Sequence, residues 1–303
     1  LERLMRFRVD FHTAESVEKF VEDEVALVRK VTPDVVLSSF RLTAPISAAV
    51  AGVRHISISN GYYFRYSDNP IQILEEGSPP EEIERGYQRA HEPYNQVRRK
   101  YGVRVLDHWR DSSVADMNIL TDVPEYAPIR SSAKNFVFHY VGPIEWEPPV
   151  SVPGWVNELD PDRPVIYFTM GSSGGRQFFE QVAHSFADTE YQLIITTGGQ
   201  TDPARLRAVA PNIYADNFLP GTEILKRSDA IVFHSGSGTV YQAMGQGVPL
   251  IAFPVNQDQR WNANRIAELG LGVRINDLDP KTIQRAIDEV LTNPIYKSNV
   301  ARF

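Results

Sequence analysis

The sequence predicts an α/β fold built from two successive parallel sheets. Three observations carry the prediction. Short apolar runs of strand length alternate with stretches of helical period in both halves, an order that builds parallel sheets. In the second half these runs end in glycine or polar turns, as at Gly171, Gly198-Gly199 and His234-Ser235-Gly236. Between the halves lies a stretch with prolines at 143, 148, 149, 153, 161 and 164, which reads as a linker. The expected organisation is an N-terminal domain over 1–142, a linker over 143–164 and a C-terminal domain over 165–303.

The elements follow in order. Residues 15–30 place Val17, Phe20, Val21, Val25 and Val28 near a helical period, which predicts an amphipathic helix. Val35, Val36 and Leu37 follow Pro33-Asp34 as a short buried strand. Residues 42–50 read as a second helix with Pro45 in its first turn, and 55–59 as the next strand. Residues 60–80 are aromatic, polar and proline-rich, which predicts a long loop of the kind that often carries function. Residues 81–101 read as a charged helix with a break at Pro93, and 118–121 and 136–141 as strands. Beyond the linker, strands are expected over 165–170, 193–197, 213–215, 230–233, 250–254 and 273–275. Helices are expected from about 177 and over 261–269. Open parallel sheets bind ligands at the carboxyl ends of their strands, where the special turns of this half lie.

Composition narrows the function. The chain has 303 residues and a net charge of -7, which argues against a nucleic-acid surface. It has no cysteine, which excludes disulfides, thiolate metal sites and cysteine nucleophiles. There is no apolar run of membrane-spanning length. The opening LERLMRFRVDF is charged and amphipathic, unlike a secretion signal, so a cytoplasmic protein without a membrane span is expected.

The stretch FHSGSGTVYQAMGQGVP, residues 233–249, holds the most chemistry. A strand ends at His234 and a helix begins after Gly236. Unpaired N–H groups at a helix N-terminus carry partial positive charge. Glycines at 236 and 238 leave room for an anion, with Ser235, Ser237, Thr239 and His234 as further donors. A tight strand–helix turn alone explains the same residues. The spacing matches neither the Walker loop nor the dinucleotide fingerprint. In PVNQDQ, residues 254–259, Asp258 and Gln259 could bind several hydroxyls of a sugar ring, or Asp258 could cap the next helix.

Taken together, HSGSGTVYQAMGQGVPLIAFPVNQDQRWNANRIAELGLGVRI resembles the C-terminal signature of family-one glycosyltransferases of the GT-B fold, which use nucleotide-diphosphate sugars. NFLPGTEILKRSDAIVF, TMGS and VGPI resemble further segments of that family. The resemblance is strong over 165–275 and weaker over 33–63. It implies two facing Rossmann-like domains, the N-terminal one incomplete, with the donor on the C-terminal one. It places Phe218 against the nucleotide base with Leu219 beside it, and His234, Gly238 and Thr239 on the diphosphate. It sets Gly171 and Ser172 at the turn facing the reaction centre, and Asp258 and Gln259 on the sugar. The implied reaction is inverting, metal-independent transfer of a sugar to a small-molecule hydroxyl. It needs no cofactor beyond the nucleotide sugar, of UDP or TDP type.

Three departures qualify the resemblance. Gln242 stands where many members carry a ribose-binding glutamate, and Gly221 replaces a glutamine. The family's catalytic histidine motif, Gly-His-x-x-Pro, is absent. An opening strand–helix–strand unit, roughly 30 or more residues, is expected to be missing at the N-terminus. The closing helices also stop early, so a truncated chain, or a partner chain supplying the missing part, is expected. Ser39 replaces the aspartate that orients the histidine. His12, His55, His91, His108 and His139 have no partner that would make any of them the base, so the catalytic residue is unassigned. Tyr62, Tyr63 and Phe64, with Ser39, are the acceptor-side candidates, although domain packing explains the three rings equally well. Asp160-Pro161-Asp162 and Asp277-Leu278-Asp279 resemble metal-binding pairs but read as turns beside prolines. A donor-binding pseudoenzyme and a sugar-nucleotide epimerase are the alternatives.

Overall fold

The computed structural model describes residues 12–71, 79–130, 136–147, 149–171, 175–187 and 189–303. It divides into two compact units, Leu1–Pro143 and Ile144–Phe303.

Unit 1 holds a four-stranded parallel sheet: β1 (Val35–Ser39), β2 (Arg54–Ser59), β3 (Met117–Leu120) and β4 (Val137–Tyr140), adjacent in chain order. Helix α1 (Ala14–Val31) starts where the Thr13 hydroxyl accepts from the Ser16 N–H. Its valines 17, 21 and 25 form one stripe at i, i+4 spacing and pack on Ile46 of α2 (Ala44–Ala51) and Tyr94 and Val97 of α3 (Pro80–Lys100). Glu24 ties α1 to the start of α2: it accepts from Arg41 Nε at 2.7 Å, Thr43 Oγ1 at 2.6 Å and Ser47 Oγ at 2.5 Å. The break expected at Pro93 does not occur; α3 runs through it. Burial of Tyr94 and Val97 against α1 outweighs the one backbone bond that a proline removes. Strand β1 is an edge of this sheet, and its Val35 and Leu37 are 41% and 58% exposed.

Unit 2 holds six parallel strands in the order β10-β9-β8-β5-β6-β7. These are β5 (Val165–Thr169), β6 (Gln192–Thr196), β7 (Ile213–Asp216), β8 (Ala230–Phe233), β9 (Leu250–Ala252) and β10 (Gly272–Arg274). Their helices are α4 (Arg176–Phe186), α5 (Pro203–Arg207), α6 (Gly221–Leu225), α7 (Ser237–Gly245), α8 (Gln257–Glu268), α9 (Pro280–Thr292) and α10 (Pro294–Val300). The central strands are apolar on both faces, as a sheet covered by helices requires. Ile166, Phe168, Leu193 and Val232 pack with Phe179 and Val182 of α4 and Ile283 and Ile287 of α9 in one core.

Helices α5, α6 and α9 lie outside the sequence expectation, and α8 starts earlier than expected. Helix α8, expected from 261, starts at Gln257, because the Asn256 side chain accepts from the Gln259 N–H and caps it there. Helix α9 was not foreseen, although Asp279 accepts from the Lys281 N–H and Pro280 fills the first turn. That capping role, and the bond from the Asp162 N–H to Asp160 Oδ1, engage both Asp-x-Asp pairs in local turns. No helix among the described residues is long and apolar enough to cross a membrane.

The β9–β10 pairing leaves no room at Gly272. A Cβ there would lie 1.7 Å from the Leu250 carbonyl oxygen, and neither backbone can retreat without breaking the ladder. Gly154 has nothing within 4 Å of the same position. In urea unfolding, Gly272→Ala is expected to lose about 3 kcal/mol or more, and Gly154→Ala to stay within about 0.5 kcal/mol of the parent. Equal midpoints for the two variants would contradict the packing described.

Candidate functional site

The sheet order of unit 2 reverses between β5 and β8, and at such a switch point the carboxyl ends of the strands open a crevice. Three adjacent strands end there in close contact. Strand β5 leads into Gly171, with φ +51, and β6 into Gly198, with φ +59, both in the left-handed region that favours glycine. A Cβ on Gly171 would lie 2.8 Å from His234 Cε1, and one on Gly198 would lie 2.9 Å from the Gly171 carbonyl oxygen. Glycine is therefore required twice for the strand ends to approach His234.

His234 follows β8 and is buried. Burial pushes its imidazole down to about 4, against the pull of the Thr169 carbonyl towards the protonated form. That carbonyl does not reach hydrogen-bonding geometry, and Nδ1 has no partner among the described residues. The ring is neutral at pH 7. Ser235 then adopts φ 66, a left-handed conformation that costs a residue with a Cβ about 1–2 kcal/mol. Its hydroxyl is buried without a partner among the described residues.

This kink sets Gly236 as the residue before α7, where it offers no side-chain cap. The first helical bond runs from the Val240 N–H to the Gly236 carbonyl at 3.0 Å. The N–H groups of Ser237, Gly238 and Thr239 precede it and have no intrahelical acceptor. A Cβ on Gly236 would lie 2.5 Å from His234 Nε2, whereas one on Gly238 would meet nothing within 4 Å. The turn thus aligns a neutral imidazole, a helix N-terminus and open space, a combination that can receive an anion.

The neighbouring strand ends add to this. The Thr197 hydroxyl donates to Asn217 Oδ1 at 2.8 Å and the Gly198 N–H to the Asn217 carbonyl at 2.9 Å, which ties the turn after β6 to the turn after β7. Phe218 follows with its ring 57% exposed, while Leu219 is buried. A Cβ on Gly221 would lie 3.4 Å from Gln242 Oε1, so the two positions that depart from the family's pattern are neighbours in space. At the end of β9, Asn256 and not Asp258 caps α8. Asp258 sits in the first turn, where burial raises its carboxyl against the neighbouring backbone N–H groups. Gln259 is buried, and its Oε1 accepts from the Val255 N–H at 3.0 Å, so this part of its side chain holds the turn. Ser172 lies outside the described residues.

The acceptor-side candidates fare differently. Ser39 is exposed at the end of β1, beside Phe40, whose ring meets Tyr63 with centroids 4.6 Å apart. Tyr63 is half-buried. Tyr62 and Phe64 are core residues, so the expectation that they line an open acceptor pocket is corrected: packing accounts for both. The loop they occupy is anchored by Asp122, which accepts from the Gly61 N–H at 2.5 Å and from Asn60 Nδ2 at 2.9 Å. Sequence reasoning passed over Asp122, because its partners lie some sixty positions away. Among the described residues, no loop following a strand of unit 1 contains a histidine.

With this geometry in place, comparison with known proteins is decisive. The erythromycin biosynthesis protein CIII-like C-terminal domain matches residues 180–303. A PGL/p-HBAD biosynthesis glycosyltransferase of Mycobacterium tuberculosis (strain ATCC 25177 / H37Ra) is 31% identical over 308 residues, covering 96% of this chain and 71% of that protein. The chain belongs to the family-one glycosyltransferases of the GT-B fold. A PGL/p-HBAD biosynthesis rhamnosyltransferase of Mycobacterium bovis (strain BCG / Pasteur 1173P2) is 30% identical over 315 residues, 96% of this chain and 68% of that protein. The fold is shared with the spinosyn rhamnosyltransferase SpnG, solved with thymidine diphosphate, at a TM-score of 0.68 and 17% identity over 95% of this chain and 74% of that one.

In this glycosyltransferase a second recess, of about 620 Å³, lies in unit 1 at the opposite, amino ends of the strands. Arg54, His55, Asp116, Arg98 and Asp111 line it. Burial raises Asp111 to about 6 despite Arg65 Nε at 3.0 Å.

The state of His234 sets a pH dependence. Its folded value, about 4, lies below the ordinary 6.5. Below pH 6.5 the unfolded chain takes up this proton first, so stability is full above that pH and falls as pH drops towards 4. Replacing His234 by Asn is expected to flatten the unfolding free energy between pH 6.5 and 4 by up to about 1.4 kcal/mol per pH unit. Urea titrations at several pH values measure it, and parallel curves for parent and variant would refute the burial argument.

Proposed function

We propose that this glycosyltransferase moves the sugar of a UDP- or TDP-type donor to a hydroxyl of a small-molecule acceptor, with inversion and without a metal ion. The observation that carries the reading is the turn at 234–239. There a dry, neutral imidazole and an uncapped helix N-terminus face open space at the switch point of the sheet. The leaving group of such a reaction is a diphosphate, and its charge grows as the glycosidic bond breaks. Preorganised N–H donors and the α7 dipole stabilise that charge where water is excluded. They do the work for which a cation would otherwise serve. His234 donates one N–H to a diphosphate oxygen, and its proton affinity rises as negative charge accumulates there.

The exposed ring of Phe218 offers a stacking face for the base, and Leu219 backs it. Asp258, in the first turn of α8, is the carboxylate offered to the donor sugar. The thymidine diphosphate bound by SpnG supports the TDP-type form of this donor. A second reading has one observation in its favour, the lack of a histidine in the described loops that follow the unit 1 strands. In that reading the polypeptide binds the donor and a partner chain supplies the base. Turnover by the purified chain alone would exclude it.

Gly238→Ala separates binding from folding. The added methyl group meets no protein atom within 4 Å, and alanine suits a helix better than glycine by up to about 1 kcal/mol. The variant is expected to keep or raise its urea midpoint while binding UDP or TDP about tenfold or more weakly by calorimetry. His234→Ala is expected to lower kcat/KM by about 10²–10³. EDTA should leave the rate unchanged, and NMR of the product should show the inverted anomer. Tight diphosphate binding by Gly238→Ala, or a rate that EDTA abolishes, would count against the proposal.

A further inference from the structure

Residue 242 is a neutral glutamine and residue 221 a glycine, yet the space beside them holds a carboxylate from elsewhere in the chain. Glu147 lies in unit 2, ahead of β5 in the proline-rich stretch, and accepts a hydrogen bond through Oε1 from the Thr222 N–H in the first turn of α6. A Cβ on Gly221 would lie 3.7 Å from Glu147 Oε1 and 3.4 Å from Gln242 Oε1. The Glu147 and Gln242 side-chain oxygens therefore both lie within van der Waals reach of the point where a side chain at 221 would begin. Glu147 is half-buried, and its neighbour Trp146 is 76% exposed.

The position of this pair along the ligand follows from covalent order. In a nucleoside diphosphate the furanose lies between base and phosphates. Gly221 stands three residues after Phe218, the ring offered to the base. Gln242 stands on α7, within two turns of the N–H groups offered to the diphosphate. Gly221, with Glu147 and Gln242 beside it, therefore stands along the ligand where the furanose belongs. The chemistry fits as well. A hydroxyl both donates and accepts. The atoms facing this position, Glu147 Oε1 and Gln242 Oε1, are both acceptors, and furanose hydroxyls can donate to each.

We propose that Glu147 is the carboxylate that binds the furanose hydroxyls of the donor nucleotide, in place of the acidic residue lacking at position 242. This rests on the donor-site reading above. A helix-capping role through Thr222 is the structural alternative, and Glu147→Gln distinguishes the two because the amide oxygen still accepts from the Thr222 N–H.

The experiment is calorimetric titration of the whole chain with UDP, 2′-deoxyuridine diphosphate and TDP, in parent, Glu147→Gln and Glu147→Ala forms, with a urea midpoint for each. Glu147→Gln is expected to bind about tenfold more weakly, as loss of a charge-assisted hydrogen bond implies, with an unchanged midpoint. Glu147→Ala should lose at least as much affinity and lower the midpoint. A preference for the ribo form that Glu147→Gln erases would support contact with the 2′-hydroxyl, together with the 3′-hydroxyl if the deoxy forms also weaken; an equal loss on ribo and deoxy forms would support contact with the 3′-hydroxyl alone. Unchanged affinity in Glu147→Gln would overturn the inference alone. No binding of any of the three by the parent chain would overturn the donor-site reading, and this inference with it.

Discussion

Everything at the carboxyl ends of the unit 2 strands depends on how tightly His234 is held by backbone. Gly171 approaches one part of the ring and Gly236 another, each where a single methyl group would collide. Gly198 then packs on the carbonyl of Gly171. Three loops are thus held together around a single side chain, the His234 ring. Rigidity of this kind comes from backbone contact and the surrounding apolar core, so it needs no ligand to form. The burial that pins the ring also removes its charge. A dry neutral imidazole attracts an anion less in the ground state than a protonated one would. It is well suited to a charge that appears only as a bond breaks.

The same turn shows where the fold accepts strain. Ser235 is left-handed although it carries a Cβ, and its buried hydroxyl lacks a partner among the described residues. Glycine at 235 would relieve the backbone, at the loss of the hydroxyl. Such departures concentrate at sites where a chain serves its ligand before its own stability.

Much of this was legible in the residue order. Alternating apolar runs and turns indicate the parallel sheets, and the glycines after strands indicate tight turns at the strand ends with room for an anion at 236 and 238. What stayed hidden depended on contacts distant in sequence. The continuity of α3 through Pro93 comes from the valine stripe of α1, more than sixty positions earlier. The burial of Tyr62 and Phe64, and the anchoring of their loop by Asp122, depend on the folded unit. The meeting of Glu147 with Gly221 and Gln242 joins three segments that no periodicity connects. The start of α8 differs for a local reason: Asp258 is a capping residue by type, but Asn256, two residues earlier, supplies the cap.

The open edge of unit 1 has a practical consequence. Strand β1 pairs with β2 on one side and shows Val35 and Leu37 to solvent. An unpaired row of amides and carbonyls flanked by apolar side chains is a template for another strand. Neither lysine, proline nor bulge interrupts Val35–Ser39 to discourage it. Among the described residues nothing pairs with this edge, so it can accept a further strand, from this protein or from a second molecule. Leu37→Lys, which puts a charge on that exposed edge, would discourage pairing with a second molecule while leaving unit 2 untouched.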